Sequence, residues 1–129
     1  MKKILLLLFL GLFWPFSTYS QSETVLTDAL NDTEITYKYS SGMSVNVKFE
    51  KSGASYRILS SPKPEEWHGP FPYKALVKEN GEYFVAWFEE KSLDYVSLVF
   101  NLNTKILYGS ALIDGKYTHF EKAAISKVE

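Results

Sequence analysis

Hydrophobic and polar residues alternate along most of this chain, a pattern typical of β-strands with one buried face. Between residues 34 and 40 the apolar positions are Ile35, Tyr37 and Tyr39, and polar residues occupy the positions between them. The same alternation returns between residues 43 and 50. Because successive side chains of a strand point to opposite faces of its sheet, each segment is predicted to form a strand with one face against a core.

Six further segments have the same strand pattern, over residues 54–60, 73–79, 82–89, 95–102, 106–113 and 117–122, and residues 123–128 are left open as a last short strand or a frayed end. Short turns separate these segments, and Asn80-Gly81 and Asp114-Gly115 are strong hairpin signals. Such turns pair sequence neighbours in antiparallel fashion. The strands form either a sandwich or a barrel. We favour the barrel, because a sheet that closes on itself has no exposed edge strands. The sequence therefore predicts an all-β, antiparallel, up-and-down barrel of eight strands.

Two segments depart from simple alternation. Residues 61–72 hold four of the five prolines, and we predict a long loop there because proline lacks the backbone donor that a sheet requires. Residues 82–89 are apolar on both faces, with Phe84, Ala86 and Phe88 on the second face. This pattern predicts a strand that is central in the sheet or covered on its outer side.

The first twenty residues have the layout of a secretory signal peptide. Lys2 and Lys3 precede an apolar run over residues 4–13, which is too short for the roughly 20 residues that span a bilayer. We expect cleavage after Ser20, export to the bacterial periplasm or the medium, and no membrane attachment afterwards. An intact Met1 on the purified protein would contradict this expectation. Residues 21–32 are then predicted as an N-terminal arm, and residues 33–129 as a single domain.

Composition narrows the class of protein further. The chain has 129 residues, 46% hydrophobic and 16% aromatic, with a net charge of -1 and no cysteine. Removal of residues 1–20 takes away two lysines and no acidic residue, so the net charge becomes -3. This composition excludes a disordered chain, a disulfide scaffold and a thiol enzyme, and such an even charge balance predicts no nucleic-acid partner.

Three segments resemble the MoaF-like domain family, whose members form small lipocalin-like (calycin) barrels. Residues 37–49 resemble the opening of that domain, residues 81–89 its central strand with a Trp and a Glu two positions apart, and residues 96–104 the next strand and turn. The likeness runs from about Glu34 to Phe120. It departs from the family pattern at Asn101, where an Asp is expected. The resemblance implies a barrel with an internal cavity and no defined ligand or cofactor.

Glu89 is the main candidate for chemistry. It shares a strand face with Tyr83 and Trp87, and an inward-facing carboxylate there could act as an acid, a base or a ligand anchor. The alternative is a solvated glutamate at a strand end, beside Glu90. Arg57, the single arginine, could hold a carboxylate ligand or pair with Glu89, or it could be a surface cation.

Tyrosines occur on nearly every predicted strand and either line a cavity or fill a closed core. The predicted ligand-binding set is Tyr37, Tyr39, Arg57, Trp67, Tyr83, Trp87, Glu89 and His119. His68 and His119 are far apart in sequence and have no carboxylates at ligand spacing, so no metal site and no cofactor are predicted.

Three functions fit these features. The first is a non-catalytic barrel that binds a small apolar or aromatic molecule, with residues 61–72 as a flap at its mouth. The second is a lyase or isomerase that uses Glu89 as acid and base. The third is a protein-interaction module built on Trp67 and Phe71. The expected oligomeric state is a monomer or weak dimer.

Overall fold

The computed structural model describes residues 25–129, which form one antiparallel sheet of ten strands. The predicted signal peptide, residues 1–20, lies outside the described residues. The strands are β1 (Val25–Leu26), β2 (Thr33–Tyr39), β3 (Ser44–Glu50), β4 (Gly53–Ile58), β5 (His68–Phe71), β6 (Tyr73–Val77), β7 (Glu82–Glu89), β8 (Asp94–Asn101), β9 (Ile106–Ile113) and β10 (Tyr117–Val128).

The sheet curls into a nearly closed barrel. Its strand order is β1-β6-β7-β8-β9-β10-β2-β3-β4-β5, so the last strand pairs with an early one, with Ala123 opposite Tyr39. The order ends at β5, which Pro72 joins directly to β6, and this leaves a seam between β5 and β6. The predicted all-β antiparallel barrel is confirmed, although the number of strands differs from eight.

The first difference concerns the proline-rich segment, predicted as a continuous loop, which contains strand β5 (His68–Phe71). Strand β5 pairs only with β4, through Tyr56–His68 and Ala54–Phe71, with an irregular register between these pairs. An edge strand can contain proline because one of its sides has no ladder to complete. The loop prediction was therefore wrong over these residues.

The second difference is the C-terminal segment, where residues 117–128 form a single strand, β10. This strand pairs with β9 on one side and β2 on the other. Ala123 and Ile125 are buried in the barrel, which explains why this end of the chain does not fray.

The N-terminal arm is part of the fold. Val25 pairs with Val77 of β6, and the side chain of Leu30 is only 1% exposed within the hydrophobic core. A domain that began at residue 33 would therefore lack a core residue.

The interior of the barrel is packed with apolar side chains. Phe49 and Phe100 stack with their ring centres 6.3 Å apart, and the fully buried aliphatic side chains include Ile35, Val47 and Leu98. The interior is therefore filled by protein over this part of its length.

Strand β7 lies between β6 and β8 as predicted for a central strand, but its outer side is not covered. Phe84 and Phe88 are 43% and 46% exposed. The apolar pattern of both faces thus had two causes: the inner face belongs to the core, and the outer face is an exposed surface.

Asn101, the departure from the resembled family, stabilises turns. Its Oδ1 atom accepts hydrogen bonds from the backbone N–H groups of Asn103 and Thr104, at 2.8 and 3.2 Å, and its Nδ2 atom donates to the carbonyl of Asn80 at 3.1 Å. Asparagine thus contributes a donor here that aspartate lacks.

Candidate functional site

Glu89 is buried at the end of β7, on the inner face that it shares with Val85 and Trp87, and its side chain is 5% exposed. Its Oε1 atom accepts a hydrogen bond from the indole Nε1 of Trp87 at 3.0 Å. Its Oε2 atom accepts from the hydroxyls of Tyr56 at 3.2 Å and Ser92 at 3.3 Å. In residues 25–129, none of the ion pairs includes Glu89. Neutral donors therefore hold this carboxylate.

Tyr56 is held as a proton donor to Glu89. Burial raises the pKa of Tyr56 above its usual value, and the negative charge and hydrogen bond of Glu89 raise it further. Because the phenol remains neutral near pH 7, its donated hydrogen bond persists throughout the physiological range.

Aromatic rings surround the Glu89 carboxylate on the side of β4 and β5. The Tyr56 ring stacks on His68 with ring centres 5.1 Å apart, and its centre lies 6.3 Å from those of Phe71 and Trp87. The proline-rich segment thus supplies two of the walls, because β5 pairs beside Tyr56.

A second aromatic group continues inside the barrel. Tyr37 and Tyr39 pack edge to face with ring centres 5.3 Å apart, and Tyr39 packs in the same way on His119 at 5.1 Å. Burial raises the pKa of Tyr37 well above its usual value, and the neighbouring Tyr39 and Tyr56 add to the increase. The rings of His119, Tyr39 and Tyr37, together with those of Tyr56 and Trp87, are here called the aromatic belt.

Glu121 lies next to His119 on the same face of β10, at the end of the aromatic belt. Its carboxylate accepts hydrogen bonds from the hydroxyls of Ser40 and Ser41, both at 3.0 Å, and from the backbone N–H of Ser41. Desolvation opposes the shift, but these hydrogen bonds and nearby His119 lower the pKa of Glu121 overall. His119 Nε2 is 3.6 Å from Glu121 Oε2, too far for a hydrogen bond, and this buried nitrogen has no hydrogen-bond partner among the described residues.

A cleft of about 850 Å³ opens beside Glu89. It is lined by residues 67–72 on one side and residues 88–92 on the other. Its volume lies within the roughly 300–1,000 Å³ of small-molecule sites. Glu89 both lines this cleft and contacts Tyr56 and Trp87, so it connects the cleft to the aromatic belt.

Arg57 does not pair with Glu89. Its Nε atom donates to Asn46 Oδ1 at 2.9 Å, and a terminal nitrogen forms a salt bridge of 3.1 Å with Glu65. Trp67 lies against the same guanidinium, 4.7 Å from its ring centre, and the Lys48 ammonium lies 4.4 Å from that centre. Arg57 therefore holds the proline-rich segment against the outside of β3 and β4.

The structure brings together six of the eight predicted ligand-binding residues around the belt and cleft, namely Tyr37, Tyr39, Trp67, Trp87, Glu89 and His119. Tyr83 lies apart from them and stacks on Phe100 at 5.5 Å, next to the Asn80-Gly81 turn. Sequence reasoning did not include Tyr56 and Ser92 in the site. Alternation puts Tyr56 and Arg57 on opposite faces of their strand, but nothing in the sequence identifies Glu89 as the partner of Tyr56.

Two kinds of feature are absent from the part of the chain that the structure describes. Residues 25–129 contain no cluster of three side chains suited to hold a metal ion. The same residues contain no helix that is long and apolar enough to cross a bilayer.

Comparisons with known proteins place this barrel in a family. Residues 17–111 match the family described as the MoaF N-terminal domain. The chain belongs to this MoaF family. The matched range ends within β9, so strand β10, which closes the MoaF barrel here against β2, lies beyond it.

The MoaF barrel of this chain is also similar to a solved structure, a crystal structure from Burkholderia vietnamiensis described as "a putative beta-lactamase". The TM-score is 0.65 at 14% sequence identity, and the match covers 75% of this chain and 93% of that one. At this identity the likeness concerns the fold alone. No curated protein matches this sequence.

Proposed function

We propose that this protein binds a small apolar or aromatic molecule in the cleft beside Glu89, without transforming it. The observation that carries the proposal is a buried carboxylate, held by neutral donors, at the inner boundary of an aromatic cleft of about 850 Å³. Such a cleft combines aromatic and proline walls with a few polar groups, among them Glu89, that can orient a ligand.

The hydrogen bonds of Glu89 favour a ligand that carries an N–H or O–H donor. Each carboxylate oxygen can accept about two hydrogen bonds. The Oε2 atom already accepts two, from Tyr56 and Ser92, whereas Oε1 accepts one, from Trp87. A donor on the ligand would complete the coordination of Oε1.

Two features favour binding over the alternative functions. Three donors already engage Glu89, which suits a fixed anchor better than a group that exchanges protons during turnover. Trp67 lies against Arg57 and Lys48, so its ring is engaged within the molecule and less available as a protein contact.

The test uses the neutral probe N-phenyl-1-naphthylamine, which offers two aromatic rings and one N–H donor, with its fluorescence as the readout. Trp87→Ala is a poor test variant, since a buried tryptophan contributes to stability as well. Phe88→Ser is better because Phe88 lines the cleft but is exposed. Phe84→Ser is the matched control, on the same strand and face but outside the cleft.

We expect saturable probe binding by the wild-type protein, weakened about tenfold by Phe88→Ser through loss of about 1.4 kcal/mol of apolar contact. Phe84→Ser should leave the affinity unchanged. Absence of saturable binding, or an equal loss in both variants, would contradict the proposal.

A further inference from the structure

Along residues 84–88 of β7, 95–99 of β8 and 108–112 of β9, the outward-facing side of the sheet is an uncharged and exposed surface, here called the outer face. Its nine outward positions in successive rows are Phe84, Ala86, Phe88, Tyr95, Ser97, Val99, Tyr108, Ser110 and Leu112. The five largest aromatic and leucine side chains among them are between 39% and 49% exposed. Monomeric proteins seldom leave a contiguous apolar surface of this kind without a partner.

Strand register gives the outer face a defined shape. Ala86, Ser97 and Ser110 lie opposite one another and form a row of small residues. The hydroxyls of Ser97 and Ser110 hydrogen-bond to each other at 2.6 Å, so they need no further partner. A row of larger residues lies on each side, Phe88, Tyr95 and Leu112 above and Phe84, Val99 and Tyr108 below. The small residues are therefore the floor of a shallow trough.

Phe120 projects from the end of the trough. It lies on the neighbouring strand β10, where it pairs with Ser110 of β9, and its side chain is 85% exposed. It alternates with the inward-facing His119 and Glu121, so it points to the same side as the outer face. One surface thus carries both a projecting ring and a trough of small residues.

This combination fits a second copy of the same chain. In a two-fold dimer each partner offers the same surface, so a projection and a recess on one surface can complement each other. A two-fold axis along the strands, between Ser97 and Ser110, would place Phe120 of each copy over Ala86 of the other. The same operation places Lys122 over the ring of Phe84, a favourable arrangement of a cation and an aromatic face.

Charge and area also favour a homotypic contact. The chain has a net charge of -1, and identical chains avoid like-charge repulsion if they meet through an uncharged face. Four strands about 4.8 Å apart and three rows about 7 Å apart give roughly 400 Å² per copy. Because the outside of the barrel is convex, two such faces bury at most about 800 Å², the range of weak and transient interfaces.

We propose that the outer face is a self-association surface on which two copies pack around a two-fold axis, with Phe120 of each in the trough of the other. This dimer does not depend on the proposed ligand, because Phe120 and Ala86 lie outside the cleft, although Phe88 belongs to both the cleft and the outer face. The trough lies on the outside of the sheet, whereas Glu89 and its donors lie on the inside.

The test is sedimentation equilibrium of the protein purified from expression of the full chain, from about 1 µM to about 1 mM. Phe120→Ser removes the projecting ring, and Ala86→Gln fills the trough. Tyr117→Ser is the matched control, an exposed aromatic residue of β10 outside the trough. Circular dichroism should show an unchanged fold for Phe120→Ser, because this side chain makes few contacts within its own chain.

We expect a dimer that forms as the protein concentration rises. Phe120→Ser and Ala86→Gln should each raise its dissociation constant at least tenfold, and Tyr117→Ser should leave it unchanged. A monomer over the whole range would overturn the proposal. So would a dimer that Phe120→Ser leaves intact. If a monomeric chain instead sediments with phosphatidylglycerol vesicles through Phe120, the surface binds lipid, and the dimer is equally excluded.

Discussion

Gly109 lies where β9 passes the Tyr39 side chain, and the Tyr39 hydroxyl occupies the space that a larger residue would need. A Cβ atom at this position would lie 2.1 Å from Tyr39 Oη and 2.9 Å from Cζ. The absence of a side chain at Gly109 therefore permits the position of Tyr39 in the aromatic belt.

Gly109→Ala is expected to destabilise the protein by about 1–3 kcal/mol, because the added methyl group forces Tyr39 to move within a packed interior. The measurement is urea unfolding of the wild type, both single variants and the double variant with Tyr39→Phe. The cost of Gly109→Ala should be smaller by about 1 kcal/mol in the Tyr39→Phe background, which lacks the nearest oxygen. Equal costs in both backgrounds would show that Tyr39 is not the obstacle.

Part of the candidate site could be predicted from the alternation of polar and apolar residues along the strands. Alternation placed Trp87 and Glu89 on one face, and it also placed Arg57 opposite to Tyr56. The charge of Arg57 suggests an ion pair with Glu89. The Arg57 side chain points outward, however, and forms its salt bridge with Glu65. The pairing of Tyr56 with Glu89 joins strands that are not neighbours in sequence, and such a contact depends on how the sheet curls.

At the scale of the elements, the seam between β5 and β6 explains where the cleft lies. Strand β5 pairs with β4 alone, and its residues form one wall, while the turn that follows β7 forms the other. Most strand bounds could be predicted because polar and apolar residues alternate. Strand β5 could not, since Gly69 and Pro70 interrupt the pattern, Pro72 follows directly, and its pairing is a tertiary feature.

Substitutions in the N-terminal arm, residues 21–32, show whether the folded domain includes this segment. Leu30→Ala should lower the free energy of unfolding by about 2–5 kcal/mol, because it opens a cavity in the core. Leu26→Ala is the control: Leu26 is 68% exposed, and its loss should change stability by less than about 0.5 kcal/mol. Urea unfolding of the two variants measures both values. Equally small effects would place the arm outside the folded domain.

For the whole molecule, the buried tyrosines link stability to alkaline pH. Burial raises the pKa of Tyr37, Tyr39, Tyr56 and Tyr73 above the usual value of 10.0. In the unfolded chain these phenols lose protons near pH 10, whereas in the folded protein they remain protonated. Their contribution to stability is therefore complete below pH 10 and is lost as the pH rises above it.

We expect the free energy of unfolding to fall between about pH 9 and about pH 11, with a smaller slope in Tyr56→Phe, which has one fewer phenol to ionise on unfolding. Chemical unfolding at a series of pH values gives this slope. Tyr117→Phe, at an exposed position, is the control and should keep the wild-type slope. A Tyr56→Phe slope equal to that of the wild type would contradict the linkage.

The pairing of β2 with β10 also determines the order in which the barrel can be completed. Apart from the short pairing of β1 with β6, every other pairing of the described strands joins strands adjacent in sequence, whereas β2 and β10 bring residues 34 and 129 together through two backbone hydrogen bonds of 2.8 Å. Contacts between such distant residues have a high entropic cost and slow folding. Until residues 117–128 are synthesised, one edge of β2 has no partner, and the nascent chain is open to strand-mediated aggregation.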